Sequence, residues 1–168
     1  AYFEHPWKYD NRGGVRVVDL SGRAIELPGN YWGMEGLVWS RDGSEVLYSA
    51  SKSGWDYSIY GATLAGVTRA LYPMPGSNVI EDRNREGRWL LAQLTYFDGF
   101  LVRTPAMDRD REMTWLGQDW DPVLSQDGRT LAFTEGTAAM GPNYGVCVRG
   151  TDGSPVVRLG EGGVQDLS

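Results

Sequence analysis

Leu37-Val38-Trp39-Ser40-Arg41-Asp42-Gly43-Ser44-Glu45-Val46-Leu47-Tyr48 runs an apolar strand into an acidic-glycine turn and out into a second apolar strand. The pattern returns at Val123-Leu124-Ser125-Gln126-Asp127-Gly128-Arg129-Thr130-Leu131-Ala132-Phe133. A looser copy leads from Val79 through Glu86-Gly87 to Trp89-Leu90-Leu91. The acidic residues of these turns, Asp42, Glu86 and Asp127, stand 44 and 41 residues apart. A period in the low forties with several short strands in each period is the mark of a β-propeller blade. The chain is therefore expected to be all-β, a propeller of four-stranded antiparallel blades, with about four blades visible and a larger ring implied.

Working outward from the first hairpin, Leu37–Ser40 reads as an inner strand and Val46–Ser49 as the second. Tyr57–Leu64 reads as the third strand and Thr68–Tyr72 as the outer one. The same four strands are expected at Asp121–Ser125, Leu131–Glu135, Gly145–Arg149 and Val156–Leu159, with an outer turn at Thr151-Asp152-Gly153-Ser154. A diverged copy uses Val79–Asp82, Trp89–Thr95, Phe100–Thr104 and Glu112–Leu116, with Pro105-Ala106-Met107 as its outer turn and Asp108–Arg111 as a solvated loop. Glycine in such turns supplies the positive φ that a tight hairpin requires. On strand phase, Trp39, Val46, Leu131 and Phe133 are expected to be buried, with Asp42 and Asp127 at turns.

The ends look like parts of units. Ala1-Tyr2-Phe3-Glu4 resembles a second strand, and Val15–Leu20, Ser21-Gly22 and Ala24–Leu27 continue it. Val164-Gln165-Asp166-Leu167-Ser168 resembles a first strand. The approximate units are 1–34, 35–77, 78–118, 119–162 and 163–168. The chain then reads either as a slice of a longer propeller or as a four-bladed ring closed by Gly163–Leu167.

Composition narrows the function. Seven Trp, nine Tyr and 23 Gly among 168 residues suit strands separated by tight turns. A formal charge of −6 provides no phosphate-neutralising field, so nucleic acid is not an expected partner. No apolar run approaches the roughly 20 residues of a spanning helix. Cys147 is the single cysteine, which removes an internal disulfide and thiolate zinc binding from consideration.

The hairpin from Trp39 to Tyr48, and its counterpart from Leu124 to Phe133, resembles the WD-like propeller repeat of the TolB family. Tyr60 to Gly66 and Tyr144 to Gly153 carry the third- and fourth-strand part of that likeness. Thr134-Glu135, Gly141-Pro142-Asn143-Tyr144-Gly145-Val146 and Arg149 through Gly162 also look like the propeller attached to many bacterial serine/threonine protein kinases. The resemblance implies a sensing or protein-docking module, with any kinase elsewhere in the gene. It also implies a periplasmic or extracytoplasmic setting over a cytoplasmic one. No kinase phosphate loop, His-Arg-Asp or Asp-Phe-Gly triplet occurs in the chain.

Catalytic chemistry finds little support. His5 is the only histidine, and no Gly-x-Ser-x-Gly elbow accompanies it, so it reads as a loop residue. Asp108 and Asp110 flank Arg109, and Asp119 and Asp121 flank Trp120; such runs could offer oxygen ligands to calcium, but neither continues as an EF-hand. In a strand, Asp119 and Asp121 would share a face. Asp42, Glu86 and Asp127 could act as glycosidase carboxylates, yet recurrence in every unit marks them as architecture. Cys147 alternates with valines and reads as a small buried hydrophobe.

Aromatic residues near the connections are the stronger candidates. Trp7, Tyr31, Trp32, Trp55 and Tyr96 combine apolar area with polar handles and suit recognition of a peptide, a protein or a small ligand. Packing between blades is their other use. The expected function is a non-catalytic binding or sensor module with no cofactor, no catalytic residue and no metal site. The alternatives are a propeller associated with a peptidase or glycosidase and a periplasmic scaffold.

Overall fold

Two of the three acidic-glycine turns close on a shared set of hydrogen bonds. In the first, the Asp42 Oδ1 accepts from the Ser40 hydroxyl at 2.8 Å, the Ser44 hydroxyl at 2.7 Å and the Ser44 amide at 3.1 Å. Gly43 then takes φ 71° and donates its amide to the Ser40 carbonyl at 3.0 Å. Asp127 repeats the arrangement with the Ser125 hydroxyl at 2.6 Å and the Arg129 amide at 3.0 Å. The diverged copy differs. There Asn84, not Glu86, caps the turn by accepting from the Arg88 amide at 2.8 Å, while Glu86 forms an exposed ion pair with Arg88.

Three donors on one carboxylate hold the Asp42 pKa down, to about 2 from 3.8, with the Ser44 hydroxyl first among the causes. The stabilisation is present above the ordinary carboxylate pKa and is lost as pH falls through about 2. Acidification is therefore expected to move the Ser44 amide resonance with a midpoint near 2, and a midpoint near the ordinary value would refute the capping role.

These hairpins sit in a computed structural model that describes every residue except Pro73, Ala106 and Ser168. The outer turn expected at Pro105-Ala106-Met107 and the last residue of the closing segment thus lie partly outside the described residues. The chain divides into two compact units, Ala1–Thr95 and Tyr96–Ser168.

In the first unit, β1 (Tyr2–Glu4), β2 (Gly14–Val18) and β3 (Ala24–Glu26) form a three-stranded antiparallel sheet. Next, β4 (Gly33–Trp39), β5 (Glu45–Ser51), β6 (Ser58–Thr63) and β7 (Thr68–Tyr72) form a four-stranded sheet in chain order, and β8 (Ser77–Arg83) pairs with β9 (Trp89–Leu94). In the second unit, β10 (Leu101–Val102) pairs with β11 (Arg111–Glu112). The strands β12 (Asp119–Leu124), β13 (Thr130–Glu135), β14 (Gly145–Gly150) and β15 (Val157–Glu161) make a second four-stranded meander.

The four-stranded sheet of the first unit buries both of its faces. Val46, Tyr48 and Ala50 of β5 join Val15, Val17 and Leu27 from the β1–β3 side in one cluster. Leu47 and Ile59 join Ile80 of β8 in another. Successive residues of β5 thus serve opposite cores, as the period of two demands. Burial on both faces makes this strand almost continuously buried. Its polar residues are satisfied: the Ser49 hydroxyl accepts the Ile80 amide at 2.8 Å. Sheets stacked face to face, each a short antiparallel meander, are β-propeller blades, and the fold is all-β of that class.

Val46, Leu131 and Phe133 are buried as their strand phase requires. Trp39 is not; it is 40% exposed. It shares a face with Leu37, but it sits at the turn end of β4, past the cluster that Leu37 packs against. Asp119 and Asp121 also depart from expectation. Asp121 takes φ 50° where the register slips between Trp120 and Val123. The alternation breaks at that bulge, so Asp119 is buried while Asp121 is exposed. Finally, Val164–Leu167 carries no strand. The Val164 amide donates instead to the Thr134 hydroxyl at 2.8 Å, which takes its backbone out of ladder pairing.

Candidate functional site

The connection Pro28-Gly29-Asn30-Tyr31-Trp32 carries the chain from β3 to β4. Tyr31 exchanges two backbone hydrogen bonds with Gly13, at 2.8 and 3.0 Å, and the Trp32 amide donates to the Ser51 carbonyl at 2.9 Å. Gly29 lets the tyrosine ring lie against the backbone, since a Cβ there would stand 2.6 Å from the Tyr31 ring. The Tyr31 and Tyr48 hydroxyls are 2.9 Å apart. Tyr60 completes a cluster, with ring centroids 5.4 Å from Tyr31 and 5.9 Å from Tyr48. Burial, with the bond between the hydroxyls adding to it, pushes the Tyr31 phenol well above its ordinary pKa. It acts as a neutral hydrogen-bonding group.

Beside this cluster lies a groove of about 640 Å³ within the first unit, reached by Asn30, Tyr31, Lys52, Tyr60, Thr68 and Arg69. The described residues lining it include two cations and no carboxylate. Lys52 is exposed at the start of the β5–β6 loop. Arg69 reaches it from β7 while one guanidinium nitrogen contacts both Glu45 oxygens, at 3.1 and 2.9 Å. Glu45 therefore orients Arg69 and offsets part of its charge, which leaves Lys52 as the lining cation without an ion pair among the described residues.

The five candidate aromatics are spread over different elements. Tyr31 is 6% exposed and belongs to the core, presenting only an edge to the groove. Trp32 and Trp55 meet edge to face at 5.0 Å, each half-buried. Trp7 is 74% exposed in the turn after β1. Tyr96, also exposed, opens the second unit. The sequence reading missed Lys52, Tyr60 and Arg69. The signal for Tyr60 was its alternation with Ile59 and Gly61 in β6; nothing local marked the two cations.

A second pocket, of about 480 Å³, surrounds Arg16. Arg16 bridges Glu4 on one neighbouring strand and Glu26 on the other, the latter at 3.3 Å. The His5 Nδ1 lies 3.0 Å from the Arg12 carbonyl, so that nitrogen must carry the proton and donate it. The histidine is thereby engaged with backbone. Among the described residues, no group of three or more His, Cys, Asp or Glu side chains stands together as a metal site. Nor is any helix among them long and apolar enough to cross a membrane.

The fold and groove define a propeller-type protein with a cationic, tyrosine-walled cleft. No family model matches the chain, and no curated protein sequence matches it. Among solved structures it is similar to TolB from Acinetobacter baumannii, at 18% identity and a TM-score of 0.41 over 89% of this chain and 38% of that one. It is also similar to a protein assigned as TolB from Agrobacterium tumefaciens, at 16% identity and a TM-score of 0.28 over 89% of this chain and 61% of the other. The chain spans less than two thirds of the length of either structure.

Proposed function

We propose that this chain is a non-catalytic binding module whose first unit holds an acidic peptide segment of a partner protein. One observation carries the reading: a tyrosine-walled groove of about 640 Å³, lined by Lys52 and Arg69 with no carboxylate among its described lining residues, on a chain of formal charge −6. A positive cleft on an acidic protein concentrates anionic partners and repels others. Tyr60 supplies an aromatic wall, and Asn30 and Thr68 supply polar atoms for an extended backbone. The setting we infer is a bacterial multidomain protein, with an attached serine/threonine kinase as the context the sequence resemblance suggests.

The test is an NMR titration of the chain with a Glu-rich peptide and with its Lys-for-Glu counterpart. The acidic peptide should shift the amides of Lys52, Tyr60 and Arg69, and Lys52→Glu should weaken it on the order of tenfold while leaving thermal stability unchanged. Equal binding of the basic peptide, or shifts confined to residues away from the groove, would refute the reading.

A further inference from the structure

The second unit contains an arrangement that peptide binding does not use. Asp119 opens β12 and Glu135 closes β13, and the antiparallel register sets them directly opposite each other. They are 2% and 0% exposed. Each carboxyl gives one oxygen to a loop amide: Asp119 Oδ2 accepts from Trp115, and Glu135 Oε1 accepts from Thr137 at 2.7 Å. The remaining oxygens, Asp119 Oδ1 and Glu135 Oε2, are buried without a hydrogen-bond partner among the described residues. Two ionised carboxylates have only acceptors to offer each other, so one proton held between them is the donor that both oxygens lack. Burial first, and then the neighbouring Glu135 carboxyl, push Asp119 up to about 7.

The neighbouring strands bring few charges to the pair. On β14, Cys147 is a thiol pushed up to about 11 by burial, with Glu135 and Asp119 adding to the effect. On β15, Arg158 stands opposite Cys147 and opposes that shift, while its guanidinium donates to the Met140 carbonyl at 3.1 Å. The core beside these strands takes Val102 and Met113, both apolar, from the β10–β11 region. No cation is hydrogen-bonded to either carboxyl among the described residues.

We propose that Asp119 and Glu135 form a proton-operated latch on the second unit. With one proton shared, the pair ties two segments to the same end of the sheet. One is the loop through Trp115; the other begins at Thr137 and continues into the single turn of 3-10 helix at Ala138–Met140. With both carboxyls ionised, two buried like charges face each other, and those two segments are released before the core strands. The folded chain keeps a proton that the unfolded chain has lost, so the stabilisation is complete below the ordinary carboxylate pKa and is lost as pH rises through about 7.

The experiment follows thermal unfolding of the full chain from about pH 5 to about pH 8, where the raised carboxyl titrates. Wild type, Asp119→Asn and Glu135→Gln are compared, together with amide-exchange protection at Trp115 and Thr137. The difference from the variants is the readout, because Glu35 in the first unit is also raised by burial and adds its own slope. Wild-type Tm should fall relative to Asp119→Asn by on the order of 10 °C across that range. Protection of the Trp115 and Thr137 amides should drop before that of Phe133. Parallel curves for wild type and variants would overturn the latch. If neither variant folds, a carbon-13 titration of the Asp119 carboxyl in wild type decides: a midpoint near 7 supports the latch, and one near 3.8 overturns it.

Discussion

Replacing Gly36 with alanine is expected to lower the stability of the Ala1–Thr95 unit by more than about 4 kcal/mol, beyond what ordinary substitutions cost. Gly36 lies in β4 at φ 57°, where the register slips between Glu35 and Leu37. A side chain in that left-handed region costs about 1–2 kcal/mol by itself. Steric overlap costs more. A Cβ at Gly36 would stand 1.9 Å from the Ile80 carbonyl oxygen and 3.1 Å from Val79 Cγ1. The first of these is backbone, so no rotamer change relieves it, and β4 and β8 would have to separate. Separation in turn strains the bond from the Ile80 amide to the Ser49 hydroxyl and opens the cluster of Leu47, Ile59 and Ile80. Gly43→Ala is the control. Gly43 has φ 71°, but a Cβ at that position would meet nothing within 4 Å, so only the conformational cost applies. Urea unfolding of both variants checks the argument, and equal losses would show that the close approach of β4 to β8 is not what holds Gly36.

The hairpins were legible in the sequence because their signal is local. Ser40, Asp42 and Gly43 fall within four residues, and each plays a part that its chemistry dictates. Local signals mislead where tertiary geometry decides. The apolar run marks the inner strand only from Leu37, whereas β4 starts at Gly33, where the glycine packs under Tyr57 and Gly36 forms the bulge. Asn84 does not stand out as a cap because Glu86, two positions on, matches the acidic spacing of the other turns. Asp121 was placed on the face of Asp119 by strict alternation, and a single positive φ removes it. The site was less legible for the same reason. Tyr31 is contributed by the β3–β4 connection, Lys52 by a loop, Tyr60 by β6 and Arg69 by β7. Only the sheet register brings such residues together, as it does Asp119 and Glu135.

The same register makes Phe133 the residue whose truncation should most damage the second unit. Phe133 is fully buried in β13, opposite the equally buried Cys147 of β14. It packs edge to face with Phe100 at 5.2 Å, and Val102, Met113, Leu131 and Met140 complete its surroundings. Phe133→Ala is expected to cost about 3–5 kcal/mol, from lost transfer energy and the cavity left behind. The ring pair with Phe100 contributes about 0.5–1.5 kcal/mol of that. Domain stabilities are only about 5–15 kcal/mol, so the variant approaches the unfolding threshold at ordinary temperature. Phe133→Leu keeps most of the apolar volume and should recover more than half of the loss, whereas a surface aromatic would show little difference between the two changes. Denaturant titrations followed by the NMR signals of Phe133's neighbours in β14 distinguish these outcomes. If Phe133→Ala cost no more than about 1 kcal/mol, the value typical of a minor surface effect, β13 could not be the buried central strand of its sheet.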